Sequence, residues 1–259
     1  MEFRIADTFT DSLARLNGDE QKAVKTTAFD LQLNPAHPSM KFHKLDRAKD
    51  KNFWSVRVSR DIRLIVHKSA SSLLLCYVDH HDAAYRWAER RKLERHPKTG
   101  AAQLVEIRET VREVFIPDVA RSQGRGERLS MQAPPAVRSL GNILFEDVSD
   151  DDLLGYGVPP EWLDPVREAR EDTLLELADH LPAEAAEALL ELATGNTPAV
   201  PVLGSAVADP FAHPDAQRRF RVMANAQDLE RALEAPWEKW IVFLHPAQRA
   251  LVERDYSGP

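Results

Sequence analysis

The chain has 259 residues, of which 43% are hydrophobic and 29% are charged. This composition supports a sizeable buried core and is too polar for a membrane-spanning protein. The single cysteine, Cys76, excludes an intramolecular disulfide, a cysteine-based zinc site and an iron–sulfur cluster held by this chain alone. Because no basic start followed by an apolar stretch opens the sequence, we expect a cytoplasmic protein without a secretory signal.

The charges are unevenly distributed along the chain. Residues 41–98 carry 15 Lys and Arg against 7 Asp and Glu, a net charge of +8, although the whole chain has a net charge of −7. The remaining residues therefore contain 19 basic and 34 acidic side chains, a net charge of −15. A basic block within an acidic chain predicts either a surface for phosphate groups or a surface that docks onto the acidic part of the same protein.

The first part of the chain predicts a small α+β unit. Residues 2–5 indicate a strand, and Asp19 is expected to cap a long helix that ends before Pro35. Three strands with short connections should then form an antiparallel meander, at residues 53–59, 62–68 and 73–79. A helix over residues 82–95 closes the unit.

The rest of the chain is predicted to be largely helical. A helix over residues 101–114 leads to a polar, glycine-containing linker at residues 122–128. Leucines on one side of an acidic stretch predict short helices over residues 149–195. A Pro-rich segment precedes a strand at residues 220–222 and a helix at residues 226–233.

These patterns divide the chain into five segments. They are an α+β domain over 1–98, a helix and linker over 99–148, an acidic helical bundle over 149–197, a Pro-rich linker with a small strand–helix element over 198–235, and the start of a further domain over 236–259.

Basic and aromatic side chains of the predicted sheet are candidates for binding or cleaving RNA. Alternate residues of a strand share a face, so several cations could converge near the end of the meander. Metal-free cleavage of RNA needs a base for the 2′-hydroxyl, cations for the phosphorane and an acid for the leaving oxygen. The alternative interpretation is a basic sheet surface that is exposed to solvent and neither binds nor cleaves RNA. The predicted nucleic-acid-binding residues are Lys44, Arg47, Lys51, Arg57, Arg60, Arg63 and His80.

Several motifs in the first 95 residues resemble the RelE/ParE toxin superfamily. They are FHKL at residues 42–45, FWSVRV at 53–58, DIRLI at 61–65 and the strand and helix over 73–85. The resemblance implies a small antiparallel sheet with helices. RelE-like members cut mRNA on the ribosome, whereas ParE-like members act on gyrase. The implied catalytic residues are Arg57, Arg63, His81 and Tyr85, with Lys44 in the early basic stretch.

A second motif lies near residue 248. The sequence LHPAQR at residues 244–249 resembles the Q motif that opens the first motor domain of UvrD/Rep-like superfamily 1 DNA helicases. The resemblance implies that Gln248 would bind the adenine of ATP, and His245 stands where that family usually has Asn. A glycine-rich phosphate loop with Lys does not occur in the chain. ATP and magnesium are therefore expected only if a full motor follows, and this chain is expected to hold no cofactor.

These observations favour the N-terminal region of a UvrD-like ATP-dependent DNA helicase with a RelE/ParE-like domain that binds nucleic acid or a partner. Two other functions stay open. One is a RelE-type endoribonuclease of a toxin–antitoxin system, and the other is an autoinhibitory module in which the acidic bundle covers the basic sheet. The expected partners are RNA or DNA, the ribosome and an antitoxin, with no membrane. No metal site is expected.

Overall fold

The computed structural model describes residues 1–35, 37, 40–108, 143–198, 209–234 and 243. In chain order the elements are β1 (Glu2–Ala6), α1 (Asp7–Arg15), α2 (Gly18–Leu33), β2 (Phe42–Lys44), β3 (Phe53–Arg57), β4 (Ile62–Lys68), β5 (Ser72–His80), α3 (His81–Glu89), β6 (Arg91–Arg95), β7 (Ala102–Glu106), α4 (Asp150–Gly155), α5 (Leu163–Arg167), α6 (Leu174–Ala178), α7 (Ala183–Ala193), α8 (Pro214–Gln217), β8 (Phe220–Val222) and α9 (Ala226–Glu234).

A mixed, mainly antiparallel sheet forms the centre of the fold. Its strand order is β2-β3-β4-β5-β1-β8, and β6 pairs separately with β7 as a hairpin. The predicted antiparallel meander is confirmed in β3, β4 and β5. Strand β1 runs parallel to β5 and antiparallel to β8, so residues near both ends of the described chain meet in one sheet.

Apolar side chains cover both faces of this sheet. Helices α1, α2 and α9 pack on one face, around side chains such as Phe9, Leu64 and Leu75. Helix α3 and strand β7 pack on the other face, around Phe53 and Ile65. Because successive strand residues point to opposite faces, a strand buried on both sides is continuously apolar, as β5 is.

The cap of helix α2 lies two residues earlier than predicted. The prediction that Asp19 caps this helix is wrong, because Asn17 occupies that position. The side-chain oxygen of Asn17 accepts from the backbone N–H of Glu20 at 3.0 Å, and the Glu20 carboxylate accepts from the Asn17 N–H at 3.2 Å. This reciprocal pair is a capping box. Asp19 lies in the first turn, where a negative charge favours the helix dipole.

Two predicted helices are corrected by the structure. Helix α3 ends at Glu89, and residues 91–95 form strand β6 instead of its last turns. The expected helix over 101–114 begins as strand β7, while its residues beyond 108 lie outside the described residues. The cause is tertiary, since β6 and β7 pair over five residues and an ion pair joins Arg91 to Glu106 at 2.7 Å. Such pairing overrides the helix propensity of Lys, Leu, Glu and Arg.

Residues 143–198, called the acidic unit below, contain helices α4 to α7, as the acidic stretch predicts. The core of this unit includes Phe145, Leu153 and Trp162. It packs on the β6–β7 hairpin, where the Trp162 indole N–H donates to the Glu106 carbonyl at 2.9 Å. Ion pairs join Lys92 to Glu161 and Lys98 to Asp151 at the same junction.

Strand β8 and helix α9 confirm the strand and helix predicted after the Pro-rich segment. Of the residues beyond 234, only Phe243 is described, and it is buried with α1, α2 and α9. The predicted linker at 122–128 and the motif at 244–249 lie outside the described residues, so the helicase start stays a prediction. None of the described helices is long and apolar enough to cross a membrane.

Candidate nucleic-acid interface

Basic residues are concentrated on one part of the sheet. Residues 41–68 contain nine Lys and Arg against three Asp, a net charge of +6. We call the cations around the β2–β3 loop and the β3–β4 turn the basic surface: Lys44, Arg47, Arg57, Arg60 and Arg63. All of them are exposed except Arg63, which is half-buried.

Two arginines of the basic surface lie side by side. Arg57 on β3 and Arg63 on β4 are paired in register and therefore share a face of the sheet. Arg57 Nε donates to the carbonyl oxygen of Ser59 at 3.1 Å. Arg63 Nη1 donates to that same oxygen at 3.1 Å and to the carbonyls of Arg60 and Ile62. Among the described residues neither guanidinium pairs with a carboxylate, so both charges are available to an anion.

The carboxylate nearest in register to Arg63 is engaged elsewhere. Asp79 on β5 is paired with Arg63 across the sheet. Its two oxygens accept from the Tyr77 hydroxyl at 3.0 Å and from the His80 backbone N–H at 2.7 Å. Burial, followed by this hydrogen bond to Asp79, raises the pKa of Tyr77, so its hydroxyl stays a donor at neutral pH.

An imidazole and a phenol lie in the first two turns of α3, which packs on the face of the sheet that carries Arg57 and Arg63. The backbone N–H of His81 donates to the Asp61 carbonyl at 2.8 Å, which places this helix end against the β3–β4 turn. The rings of His81 and Tyr85 have centroids 4.2 Å apart. The structure therefore brings the four residues of the predicted catalytic set to one region of the sheet.

The side chain of Asp82 orients the His81 ring. Nδ1 of His81 lies 2.7 Å from the Asp82 carboxylate. This hydrogen bond, with the charge of His81, holds the pKa of Asp82 below its ordinary value. In the neutral tautomer whose Nδ1–H donates to the carboxylate, Nε2 is the acceptor nitrogen of the ring.

Other predicted residues are placed differently. His80 lies on the opposite face of the sheet, where its Nε2 is 3.9 Å from the Glu20 carboxylate of α2. Lys51 donates to the carbonyls of Asp46 and Ala48 and thereby closes the β2–β3 loop. Gln248 lies outside the described residues.

Sequence reasoning missed an aromatic cluster at the open edge of the sheet. Phe42 and Trp54 meet edge to face, with ring centroids 6.5 Å apart. The ammonium of Lys68 lies 4.5 Å from the Phe42 ring centroid, and that of Lys44 lies 6.0 Å from the Trp54 ring centroid. The alternation of these residues on three strands was the signal that could have revealed the cluster.

A cavity of about 320 Å³ lies between the β2–β3 loop and α3. Arg47 and Tyr85 line it from opposite sides, with Glu89 at its end. Within the ranges that the structure describes, no group of three or more His, Cys, Asp or Glu side chains is arranged to hold a metal ion.

Comparisons with known proteins give one weak structural match. No family model matches the chain, and no curated protein matches it. A solved structure described as a RelB–RelE antitoxin–toxin complex from Methanococcus jannaschii is similar over 32% of this chain and 95% of the matched chain. The identity is 17% and the TM-score is 0.28.

Proposed function

We propose that the basic surface binds single-stranded RNA. The observation that carries this proposal is the pair Arg57 and Arg63, which lie adjacent on one face and are bound only to carbonyl oxygens in the described part of the chain. A phosphate oxygen is a stronger acceptor for guanidinium than a carbonyl, because the hydrogen bond is charge-assisted. The phosphate would thus replace weaker partners.

Single-stranded rather than duplex RNA fits the surrounding side chains. Unpaired bases can stack on aromatic rings, and the half-buried Phe42–Trp54 pair lies beside two lysines at the β2 edge. This pair is on the face opposite to Arg57 and Arg63, so a single strand that contacts both sets would pass around the edge of the sheet. A duplex would keep its bases stacked inside and could not use these rings. Arg60 adds positive charge in the β3–β4 turn beside the pair, and Arg47 adds it in the β2–β3 loop, where it lines the cavity with Tyr85.

Salt-dependent binding by the full chain tests this proposal. Fluorescence anisotropy with a labelled single-stranded RNA of about 12 nucleotides should show affinity falling as salt rises from about 50 to about 200 mM. The R57A/R63A variant should bind about thirtyfold more weakly than the unchanged chain. The matched control is K22A/R231A, which removes the same charge from exposed positions on α2 and α9. Equal affinities for these two double variants would refute the proposal.

A second candidate function is cleavage of that RNA. The observation that favours it is the oriented imidazole, with Asp82 on Nδ1 and the Tyr85 ring alongside, on the face that carries Arg57 and Arg63. In this reading His81 Nε2 removes the proton of the 2′-hydroxyl, the arginines stabilise the phosphorane, and Tyr85 is positioned to donate to the leaving oxygen.

Cleavage of mRNA with and without ribosomes tests the second candidate. R63A/H81A should abolish cleavage and keep the far-ultraviolet circular dichroism of the unchanged chain. H80A is the matched control, because it removes the neighbouring imidazole from the opposite face of the sheet. Cleavage that persists in R63A/H81A excludes this chemistry, and cleavage by none of the proteins leaves the binding function alone.

The acidic unit is held away from the arginine pair. Its ion pairs in the described residues reach Lys92, Lys98 and Glu106 of the hairpin and Arg218 and Arg219 before β8. This arrangement does not favour the autoinhibitory reading, since Arg57 and Arg63 stay accessible. The link to a UvrD-like motor rests on residues 244–249 and remains a prediction.

A further inference from the structure

We propose that a second cleft, distant from the basic surface, binds a nucleoside phosphate. The cleft lies between the β6–β7 hairpin and the acidic unit and has a volume of about 450 Å³. That volume is within the range of about 300 to 1,000 Å³ typical of small-ligand sites. The residues that carry the argument are Arg90, Glu106, Arg108, Trp162, Glu176 and His180.

A fixed aromatic platform forms one wall of the cleft. The Trp162 ring is held by its indole N–H, which donates to the Glu106 carbonyl at 2.9 Å. The imidazole of His180 stacks on that indole, with centroids 5.6 Å apart and planes at 11°. The His180 side chain is 44% exposed and lines the cleft, so part of this platform can be reached by a ligand. A nucleobase can stack there at little cost in ordering the protein.

Two cations of the cleft have no carboxylate partner among the described residues. Arg90 follows α3 and Arg108 follows β7, and the guanidinium of Arg108 lies 5.7 Å from the Trp162 ring centroid. The Glu106 carboxylate does not neutralise them, because it is engaged by Arg91 at 2.7 Å and by His180 at 3.3 Å. Two guanidiniums beside an aromatic wall, neither paired with a carboxylate of the described residues, suit a phosphate attached to a base.

One carboxylate limits the charge that this cleft accepts. Glu176 lines the cleft and forms no ion pair with any described residue. It would repel a bare anion but can accept a hydrogen bond from a base N–H. Inorganic phosphate alone should therefore bind poorly, whereas a nucleotide combines the stacking, the base contact and the arginine contacts.

The cleft is separate from the basic surface. His81 begins α3 and Arg90 follows its last residue, so the two are about 13 Å apart along the axis from the helical rise per residue. The proposal does not depend on RNA binding at Arg57 and Arg63. A free nucleotide and the 5′-phosphorylated end of an RNA share the same chemistry, and the experiment has to distinguish them.

Calorimetric titration of the full chain tests the cleft. The ligands are the four ribonucleoside 5′-monophosphates, the matching nucleosides and inorganic phosphate, each up to about 1 mM. We expect saturable binding of a monophosphate, about tenfold weaker binding of its nucleoside, and no binding of phosphate. A short RNA with and without a 5′-phosphate, titrated into R57A/R63A, shows whether the end of a strand also enters. Binding of a free monophosphate identifies the ligand as a free nucleotide. Binding of the phosphorylated RNA alone identifies the ligand as the 5′ end of an RNA strand.

Substitutions locate the binding. R90A, R108A and H180A should each weaken it about tenfold, whereas R231A, an exposed arginine on α9, should not change it. R57A/R63A should bind mononucleotides as the unchanged chain does, which separates this proposal from the RNA surface. The absence of binding by every nucleotide and RNA, or equal binding by all variants, overturns the proposal.

Discussion

Arg57 and Arg63 donate to one shared acceptor, the carbonyl oxygen of Ser59, and each bond is 3.1 Å long. Two like charges directly opposite each other on neighbouring strands repel, and this turn oxygen offsets part of that cost. The sharing also fixes the spacing of the two guanidiniums. A single phosphate that displaces them from the oxygen could be bound by both at once.

The first prediction concerns energetic coupling between these arginines. If both hold one phosphate, R57A and R63A should each weaken RNA binding about tenfold, and the double variant about thirtyfold rather than a hundredfold. The corresponding coupling free energy is about 0.7 kcal/mol. The slope of log affinity against log salt should fall by about 0.7 in the double variant, the value for one phosphate on a single strand. A fall of about 1.4 would mean two separate phosphate contacts.

The second prediction concerns His96, which is buried in the β6–β7 turn. Its Nδ1 accepts from the backbone N–H groups of Lys98 and Thr99, and its Nε2 lies 3.0 Å from the Val158 carbonyl. The ring must be neutral to make all three bonds. Burial lowers the pKa of His96, and the hydrogen bond to Val158 and the charge of Glu184 only partly oppose this effect.

Since the pKa of His96 is lower in the folded state, the unfolded chain takes up a proton first as the pH falls below about 6.5. The free energy of unfolding should then decrease by up to about 1.4 kcal/mol per pH unit until the folded-state pKa is reached. H96N keeps an acceptor for the turn and should remove this part of the pH dependence between pH 7 and 5. Urea unfolding at several pH values measures it, with the exposed His43 replaced by Asn as the control. Identical pH profiles for H96N and the unchanged chain would contradict the assignment.

How far the sequence predicts this fold depends on the range of the contacts involved. Strand β4 has the predicted bounds because its apolar residues and short connections are local signals. The sequence RKLER of strand β6 predicts a helix locally, and only pairing with β7 makes it extended. The pairing of β1 with β8 joins residues more than 200 positions apart, and no local pattern encodes it.

The same distinction applies to the candidate site. The period of two along a strand predicts that Arg57 and Arg63 can share a face, and that His80 and His81 point apart. The shared Ser59 oxygen depends on the shape of the β3–β4 turn, which the sequence does not show. The cleft at Trp162 arises where the acidic unit meets the hairpin, so it appears only in the folded chain.

The third prediction concerns Asp50, which ties the β2–β3 loop to two other strands. Its carboxylate accepts from the backbone N–H groups of Asn52 at 2.9 Å and Leu93 at 3.0 Å, and it lies 3.4 Å from His67 Nε2. Burial alone would raise the pKa of Asp50. The hydrogen bonds from His67 and the two N–H groups outweigh burial, so the pKa is lowered.

A lowered folded-state pKa means that Asp50 stabilises the fold above about pH 4 and loses this effect as the pH falls further. D50N should therefore cost about 1–3 kcal/mol of unfolding free energy at pH 7, and the difference from the unchanged chain should shrink towards pH 2. Urea unfolding across this pH range measures it. D46N, an exposed carboxylate of the same loop, is the control and should cost little at any pH. If the unfolding free energy of D50N stays below that of the unchanged chain by the same amount at pH 2 as at pH 7, the lost interaction is not ionic.

The fourth prediction concerns the buried pair that joins the acidic unit to the sheet. Arg219 Nε lies 3.2 Å from Glu184, and both side chains are about nine-tenths buried. The other Glu184 oxygen accepts from Gln103 Nε2 at 2.7 Å. Burial disfavours the charge of Arg219, but Glu184 and then Asp7 outweigh it and raise the pKa of Arg219.

Removing one partner of this pair leaves a buried charge without compensation. E184A should lower the free energy of unfolding by about 3–5 kcal/mol, and adding R219M should restore most of it, because an apolar pair avoids the cost of desolvation. E187A is the matched control, since its carboxylate on the same helix pairs with Arg218 at 2.5 Å but is 52% exposed, and it should cost less than about 1 kcal/mol. Urea unfolding followed by tryptophan fluorescence measures the free energy of unfolding of E184A, of E184A/R219M and of E187A. A double variant no more stable than E184A would mean that Glu184 acts chiefly through Gln103 and the packing of α7, not through Arg219.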